Sequence, residues 1–368
     1  MEPLSIRIRQ LMAACLALTI ALTGVSPVFA ATIAQKQAEA DRVEAQIETL
    51  NNKAEIATEK YNTARDRFDS LSQQVRSSNA KIKKLKSRTK VLQIHLDTRA
   101  NEMYRQGPLG FVSVLLSVND FEELDTTIRI LTSLNQQDAG TVSELKQNKA
   151  DEAATNATLV AARSNASQQQ KAMSANEKAV KEQLDARSKV LDGLNVEVRD
   201  LIAQKKAADE AAAHARYVAL LRRQQEAAAK RPKTAQPKRT TSADDGGDAP
   251  TSSKGAAAVY WAMKAIGKPY SWGAGGPNSF DCSGLTSWAY RKAGVSLPHS
   301  SSAQISRGAR ISKSNLEPGD LVFFGSPIHH VGMYVGDGDF IESPYSGMTV
   351  RVVSLSRRHD FAGACRPK

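Results

Sequence analysis

The chain has 368 residues, 24% of them charged and only 5% aromatic, with a net charge of +12. That length allows two or three domains. All three tryptophans (Trp261, Trp272, Trp288) and most glycines lie beyond residue 254, so only that part can build an aromatic-rich compact core. Its basic excess is diffuse, and no zinc-finger spacing or aromatic–basic RNA motif accompanies it, so nucleic acid is excluded as the expected partner. A solvated basic surface is the plainest account of the charge; an anionic wall polymer or membrane surface suits it equally well.

Residues 1–30 have the pattern of a signal peptide. Arg7 and Arg9 precede the apolar run LMAACLALTIALTGV, and Val28-Phe29-Ala30 has the small-x-small character of a cleavage site. Cleavage after Ala30 and export are therefore expected, an uncleaved anchor being the competing reading; the run is short for a span. Cys15 comes too early to belong to a lipid-attachment box. Cys282 and Cys365, the two cysteines of the mature chain, do not form a disulfide framework.

Residues 31–230 are expected to form a coiled-coil domain. Val43, Ile47, Leu50, Ala54, Ala57, Tyr61, Ala64, Phe68, Leu71 and Val75 continue to Leu92 and Leu96 in alternating steps of four and three, with no proline or glycine between residues 33 and 106. Such a helix is about 110 Å long. Gly107-Pro108-Leu109-Gly110 ends it, and a dense apolar stretch to residue 134 predicts a helical tip, with Asp120 as cap and Glu123 three residues on. A second heptad segment runs from about 138 to 230, clearest at Val180, Leu184, Leu191, Leu194, Val198 and Leu201. Two long helices and a tip predict an antiparallel hairpin; a parallel dimer is the competing arrangement. The arm is either a passive spacer or a regulatory docking device. Residues 231–254, rich in Pro, Ser, Thr and charge, predict a flexible linker.

From 255 to 368 the pattern becomes α+β. AAAVYWAMKAIG predicts a helix ending at Gly267, and DCSGLTSWAYRKAG one that opens near Cys282 and stops at Gly294. DLVFFG, HVGMYVG, DFIESP and TVRVVSL then predict an antiparallel sheet.

Cys282 lies in the first helical turn, where free N–H groups and the dipole favour a thiolate, the competent nucleophile. Burial as a structural cysteine is the bland alternative. His330 opens an apolar strand and is the candidate base; His329 points to the opposite face, His299 is expected in solvent, and His359 lies among basic residues. Glu342 on the next strand can orient His330 only in one register. A three-residue loop, Gly336-Asp337-Gly338, pairs Gly332 with Glu342 and makes His330 its diagonal neighbour, with Gly332 leaving the space between them empty. A two-residue Asp337-Gly338 turn that pairs Val335 with Phe340 separates them onto opposite faces.

YSWGAGGPNSFDCSGL, LEPGDLVFF and HHVGMYVGDGDFIESP resemble the NlpC/p60 cysteine peptidases of bacterial cell walls, in order and over nearly all of residues 255–365. The resemblance implies a papain-like fold with Cys282 as nucleophile, His330 as base and Glu342 as third residue. It also implies that Tyr270 helps the Cys282 N–H hold the oxyanion, and that Asp281 and Ser283 bind the free amine of a peptidoglycan stem peptide. The implied reaction is hydrolysis of a stem-peptide amide, usually between D-glutamate and the diamino acid, without metal or cofactor. The arm and its tip, YRQGPLGFVSVLLSVNDFEEL, resemble envelope hydrolases of the actinobacterial RipC-like group, controlled by the FtsE–FtsX division complex. This implies that the arm docks on that membrane partner and occludes the catalytic cleft until released. Two other classes compete: a non-enzymatic scaffold whose degenerate domain only binds wall, and a thiol enzyme acting on another amide or transferring acyl groups.

Overall fold

The computed structural model describes residues 27–107, 117, 118, 120–229 and 254–368. The apolar run of the expected signal peptide, most of the linker and residues 108–116 and 119 of the expected tip lie outside the described residues. Among those described, no helix is long and apolar enough to cross a membrane.

The described residues form the α-helices α1 (Pro27–Gln106), α2 (Phe121–Asp192), α3 (Val196–Ala229), α4 (Lys254–Lys264), α5 (Cys282–Lys292) and α6 (Ser301–Gln304). Asp120 caps α2 as expected, its carboxylate accepting from Glu123 N at 2.7 Å. The described residues form two compact units, one of residues up to Lys60 with Asn176–Lys368, the other Tyr61–Ala175.

Within Tyr61–Ala175, α1 and α2 run antiparallel. Arg99 pairs with Asp138 at 3.0 Å and Arg88 with Glu144 through two bonds of 2.6 and 2.7 Å, so partners descend on one helix as they ascend on the other. Ala64, Ile82, Leu92, Leu159 and Ala162 are buried along the seam.

The other unit departs from the expected single second arm. Gly193, Leu194 and Asn195 interrupt the helix, and Asn195 caps α3 by accepting from Val198 N at 2.9 Å. The chain reverses here. Lys36 pairs with Glu197, while Lys205 reaches Asp41 and Glu44, so α3 ascends with α1. Glycine in the helix pattern and a capping asparagine just after it are the physical cause. α3 then packs on the C-terminal domain. Leu220 joins that domain's core, with Tyr217 and Leu221 against it, and Arg216 and Arg223 pair with Asp339 and Asp337.

The sheet is antiparallel with order β1-β6-β2-β3-β4-β5: β1 (Gly308–Ile311), β2 (Leu321–Phe324), β3 (His330–Gly336), β4 (Asp339–Glu342), β5 (Arg351–Ser354) and β6 (Phe361–Pro367). The four strands expected are present. β1 and β6 were not legible, since GARI and FAGACRP are too short or too glycine-broken to show alternation. Leu321, Phe323, Val331, Met333 and Ile341 form one core with Leu285, Trp288 and Ala289 of α5 and Ala258 and Ala262 of α4. Val322, Phe324, Phe340, Val353 and Ala364 form a smaller cluster.

The β3–β4 connection corrects the expected loop. Gly336 pairs with Asp339, leaving a two-residue Asp337-Gly338 turn with φ of 55° and 78°. The register then shifts between Tyr334 and Gly336, so that Tyr334 pairs with Phe340 and Met333 with Ile341. The bulge restores the pairing that the longer loop was expected to supply, and Glu342 stays on the His330 face. The space beside Gly332 is not empty: a Cβ there would meet the Phe340 ring at 2.4 Å and the Ile341 carbonyl at 2.8 Å. We expect Gly332→Ala to lower stability by about 1–3 kcal/mol through overpacking, measured as a drop in thermal midpoint.

Candidate active site

The chain brings α5 in through a short knot of backbone bonds. Asp281 N donates to Ala274 O at 2.9 Å and Phe280 N to Pro269 O at 3.2 Å, while Tyr270 bridges Phe280. Asp281 is the N-cap, its Oδ1 accepting from Gly284 N at 2.6 Å. This places Cys282 in the first turn, buried, with its Sγ donating to the His329 carbonyl at 3.9 Å. β3 begins one residue later, at His330.

His330 is fully buried and its Nε2 bonds Glu342 Oε2 at 3.1 Å. The other Glu342 oxygen accepts from Arg351 Nε and Nη2, both at 3.0 Å. β4–β5 pairing sets Glu342 opposite Arg351. Burial acts to raise the Glu342 pKa, but the His330 bond and the Arg351 charge outweigh it and bring it to about 2. Glu342 is therefore a carboxylate at any working pH. Burial lowers the His330 pKa, against the pull of Glu342, so the imidazole is neutral near pH 7. Arg351 escaped the sequence reading; only the strand pairing across β4 and β5 reveals its partner.

Two expectations need correction. His299 is not in solvent: its side chain is 15% exposed and its Nε2 lies 2.8 Å from Asp281 Oδ1. The loop after Pro298 folds back over α5, and Gln304 ties it there by donating to Ser283 O and Pro298 O and accepting from Thr286 Oγ1. Nor does the helix start dominate the Cys282 thiol. Burial first, then the charges of Asp281, Glu55 and Glu59, push its pKa well above the usual thiol range.

Glu55 and Glu59 belong to α1, and both are buried. Glu55 Oε2 lies 3.7 Å from His330 Nδ1, and neither atom has a hydrogen-bond partner among the described residues. Burial raises the Glu55 pKa to about 8. Tyr270 is half-buried beside this stretch, its hydroxyl pushed up by burial and by Asp281 and Cys282. Asn51, Ala54, Glu55 and Thr58 meet Tyr270, Trp272 and Tyr345 around a residual space of about 10 Å³, room for roughly one water. Ser283 is buried, its Oγ donating to Asp281 Oδ1 at 3.4 Å. Among the described residues no group of three His, Cys, Asp or Glu has metal-site geometry.

A cysteine opening a helix, packed on an antiparallel sheet that carries a carboxylate-bonded histidine, defines a papain-like α+β domain. Residues 267–360 match the model of the NlpC/P60 family, and the C-terminal domain of this chain belongs to that family. A protein of Corynebacterium glutamicum named a probable endopeptidase is 52% identical over 107 residues, 29% of this chain and 51% of that protein. One of Mycobacterium tuberculosis with the same name is 46% identical over 99 residues, 27% of this chain and 26% of that protein. The solved NlpC/p60 domain of the peptidoglycan hydrolase SagA is 39% identical, the match covering 30% of this chain and 97% of that one at a TM-score of 0.29. The chain thus spans about half, or less, of the length of the curated relatives it matches.

Proposed function

We propose that this chain is an exported cysteine endopeptidase that hydrolyses stem-peptide amides of peptidoglycan and that its helical arm controls this activity. The observation that carries the reading is the Arg351–Glu342–His330 relay beside the helix-opening Cys282. Cys282 passes its proton to His330 and attacks the carbonyl carbon. The Cys282 N–H and Tyr270 stabilise the oxyanion. His330 gives the proton to the leaving amine, then takes one from water, which cleaves the thioester and restores the thiol. Asp281 and Ser283 bind the substrate amine, Asp281 sharing its carboxylate with His299. The bond cut lies between D-glutamate and the diamino acid, and the setting is wall remodelling or daughter-cell separation. Mass spectrometry of muropeptides after incubation with the protein tests this; intact muropeptides would overturn it.

Glu342→Gln keeps the shape but removes the charge that orients His330. Turnover should fall about 10²-fold, and Arg351→Met should fall in the same direction by a smaller factor with KM little changed. Steady-state kinetics on a stem peptide would show this.

The arm closes the cleft in the resting state, since Asn51–Glu59 occupies the space beside Tyr270 and His330. Its release depends on a membrane partner, the FtsE–FtsX complex, docking at the tip. Within Tyr61–Ala175, Met103, Tyr104, Phe121, Ile128 and Ile130 expose apolar surface suited to such a partner.

A further inference from the structure

The basic excess, diffuse along the whole chain, is one-sided within the C-terminal domain. Residues 254–316 carry eight Lys and Arg and a single acid, Asp281, which is fully buried. Residues 317–368 carry five Lys and Arg against six Asp and Glu. The positive charge therefore belongs to the half that holds α4 and α5.

On that half, lysines lie over aromatic rings. Lys264 Nζ is 5.5 Å from the centre of the Tyr260 ring and Lys292 Nζ 5.3 Å from that of Trp261. Lys268 Nζ lies 5.9 Å from Phe280 and 6.0 Å from Trp288, and donates to the Pro277 carbonyl. The rings meet in series, Tyr260 with Trp261 at 5.5 Å, Trp261 with Trp288 at 5.9 Å and Trp288 with Phe280 at 5.1 Å, so the patch is continuous. Such cation–ring pairs occur roughly once per 70–80 residues; three lysines make them here between residues 264 and 292. Lys264 and Lys292 close the last turns of α4 and α5, where the helix dipole favours a cation. The dipole does not account for Lys268, nor for the partly exposed Tyr260 and Trp261 between the charges. Among the described residues none of the three lysines has a carboxylate partner, and Trp261 Nε1 has no acceptor.

We infer that the face formed by Tyr260, Trp261, Lys264, Lys268 and Lys292 is an exosite for a phosphate-bearing glycan polymer. Flat rings beside point charges suit alternating sugars and phosphodiesters: the apolar faces of the sugars lie on Tyr260 and Trp261, and the ammonium groups take the phosphate oxygens. Both rings are half-buried along the side of α4, so neither stands out far enough to anchor in a bilayer. Lys292 follows Cys282 by ten positions on α5, about 15 Å along the helix. The face thus holds the domain on a polymer while the cleft stays free for its own substrate. Binding here needs neither Cys282 nor His330, so this reading and the hydrolase reading stand or fall separately.

The test is calorimetric titration of the full chain with poly(glycerol phosphate) carrying glucose. Bare poly(glycerol phosphate), neutral dextran and phosphatidylglycerol vesicles are the other probes. The sugar-bearing polymer should bind about threefold tighter than the bare one, dextran should not bind, and added salt should weaken the complex. Lys264→Gln combined with Lys292→Gln should weaken it about three- to tenfold. Lys264→Arg combined with Lys292→Arg keeps both charges and should bind as the wild type does, which separates charge from packing. Tyr260→Leu should erase the preference for the sugar-bearing polymer. Unchanged binding in the glutamine pair, equal binding of the bare and sugar-bearing polymers, or tighter binding to the vesicles would overturn the exosite. A chain that shows these preferences yet cleaves no muropeptide would refute the hydrolase reading and leave the exosite standing.

Discussion

Replacing Cys282 by alanine is expected to abolish stem-peptide hydrolysis, with a loss on the order of 10⁴-fold or more in turnover. The thiol is the only proposed group that forms a bond to substrate, and a neutral His330 beside it has no other proton to move. The substitution should leave the fold intact. Cys282 is small, its Sγ makes one weak bond to the His329 carbonyl, and the cap of α5 is supplied by Asp281. Since the arm is proposed to lower activity in both chains, the comparison is made in a Glu59→Gln background, which removes the carboxylate bonded to Ser300, Ser301 and Ser302. Muropeptide cleavage at an unchanged rate in Cys282→Ala would rule out Cys282 as its source, and binding without cleavage by either chain would favour a scaffold whose domain only binds wall. With Cys282 in place, a thioester that persists in water and is released by an added amine, which takes the acyl group and frees the thiol, would instead favour acyl transfer.

Raising the pH from 6.5 to 8 is expected to loosen the arm through Glu55. Its pKa in the folded chain, about 8, lies above the ordinary 4.5 because burial disfavours the charge. The group facing it on β3 is His330; Arg358 favours its ionisation, while Glu342, Asp360 and Glu48 oppose it. An acid whose pKa is raised on folding contributes stability fully below pH 4.5, and that contribution is lost as pH rises through 8. The His330 pKa is lowered, so His330 costs stability only below its ordinary value of 6.5. Cys282 is raised above 9.0 and titrates later. Between pH 6.5 and 8 the Glu55 proton dominates among these three groups. The loss is about 1.5–2 kcal/mol over that window, or roughly ten- to thirtyfold in the open population. Hydrogen–deuterium exchange of the Asn51–Glu59 peptide, corrected for its intrinsic pH dependence, should rise by that factor. Glu55→Gln should flatten the response; an equal slope in that variant would assign the pH effect elsewhere.

The two effects share one cause. Glu55 and Glu59, the residues proposed to cover the cleft, both raise the Cys282 pKa. On the proposal that the arm covers the cleft, undocking exposes the thiol and takes away two carboxyls that, when ionised, hold its proton in place. Local helix-start chemistry, which favours a thiolate, can then act on Cys282 against fewer opposing charges.

Much of the candidate site was legible because it is local. Asp281, Cys282 and Ser283 are consecutive, the cap and first turn of α5 follow from them, and apolar alternation marks β3 with His330 at its start. Pairing His330 with Glu342 needed the right register, and the pairing expected on that face is present. The loop is one residue shorter than the spacing predicts, and a bulge between Tyr334 and Gly336 gives the same pairing downstream as the longer turn. Arg351 and His299 acquire their roles only across strand β5 or a folded-back loop, contacts that no period records.

The sequence by itself determined the long helices, the α+β character of residues 255–368 and the order of the chemistry-bearing residues, since periodicity, caps and turn residues act over a few positions. Tertiary structure alone decided where the arm goes. The heptad pattern of α1 is satisfied by any partner of matching period, so nothing in it distinguishes a spacer from a plug. Glu55 and Glu59 look like ordinary solvated charges on a coiled coil. Only the packing of α1 against Tyr270, His330 and Ser300–Ser302, more than 200 residues away, turns them into buried carboxyls at the nucleophile's door.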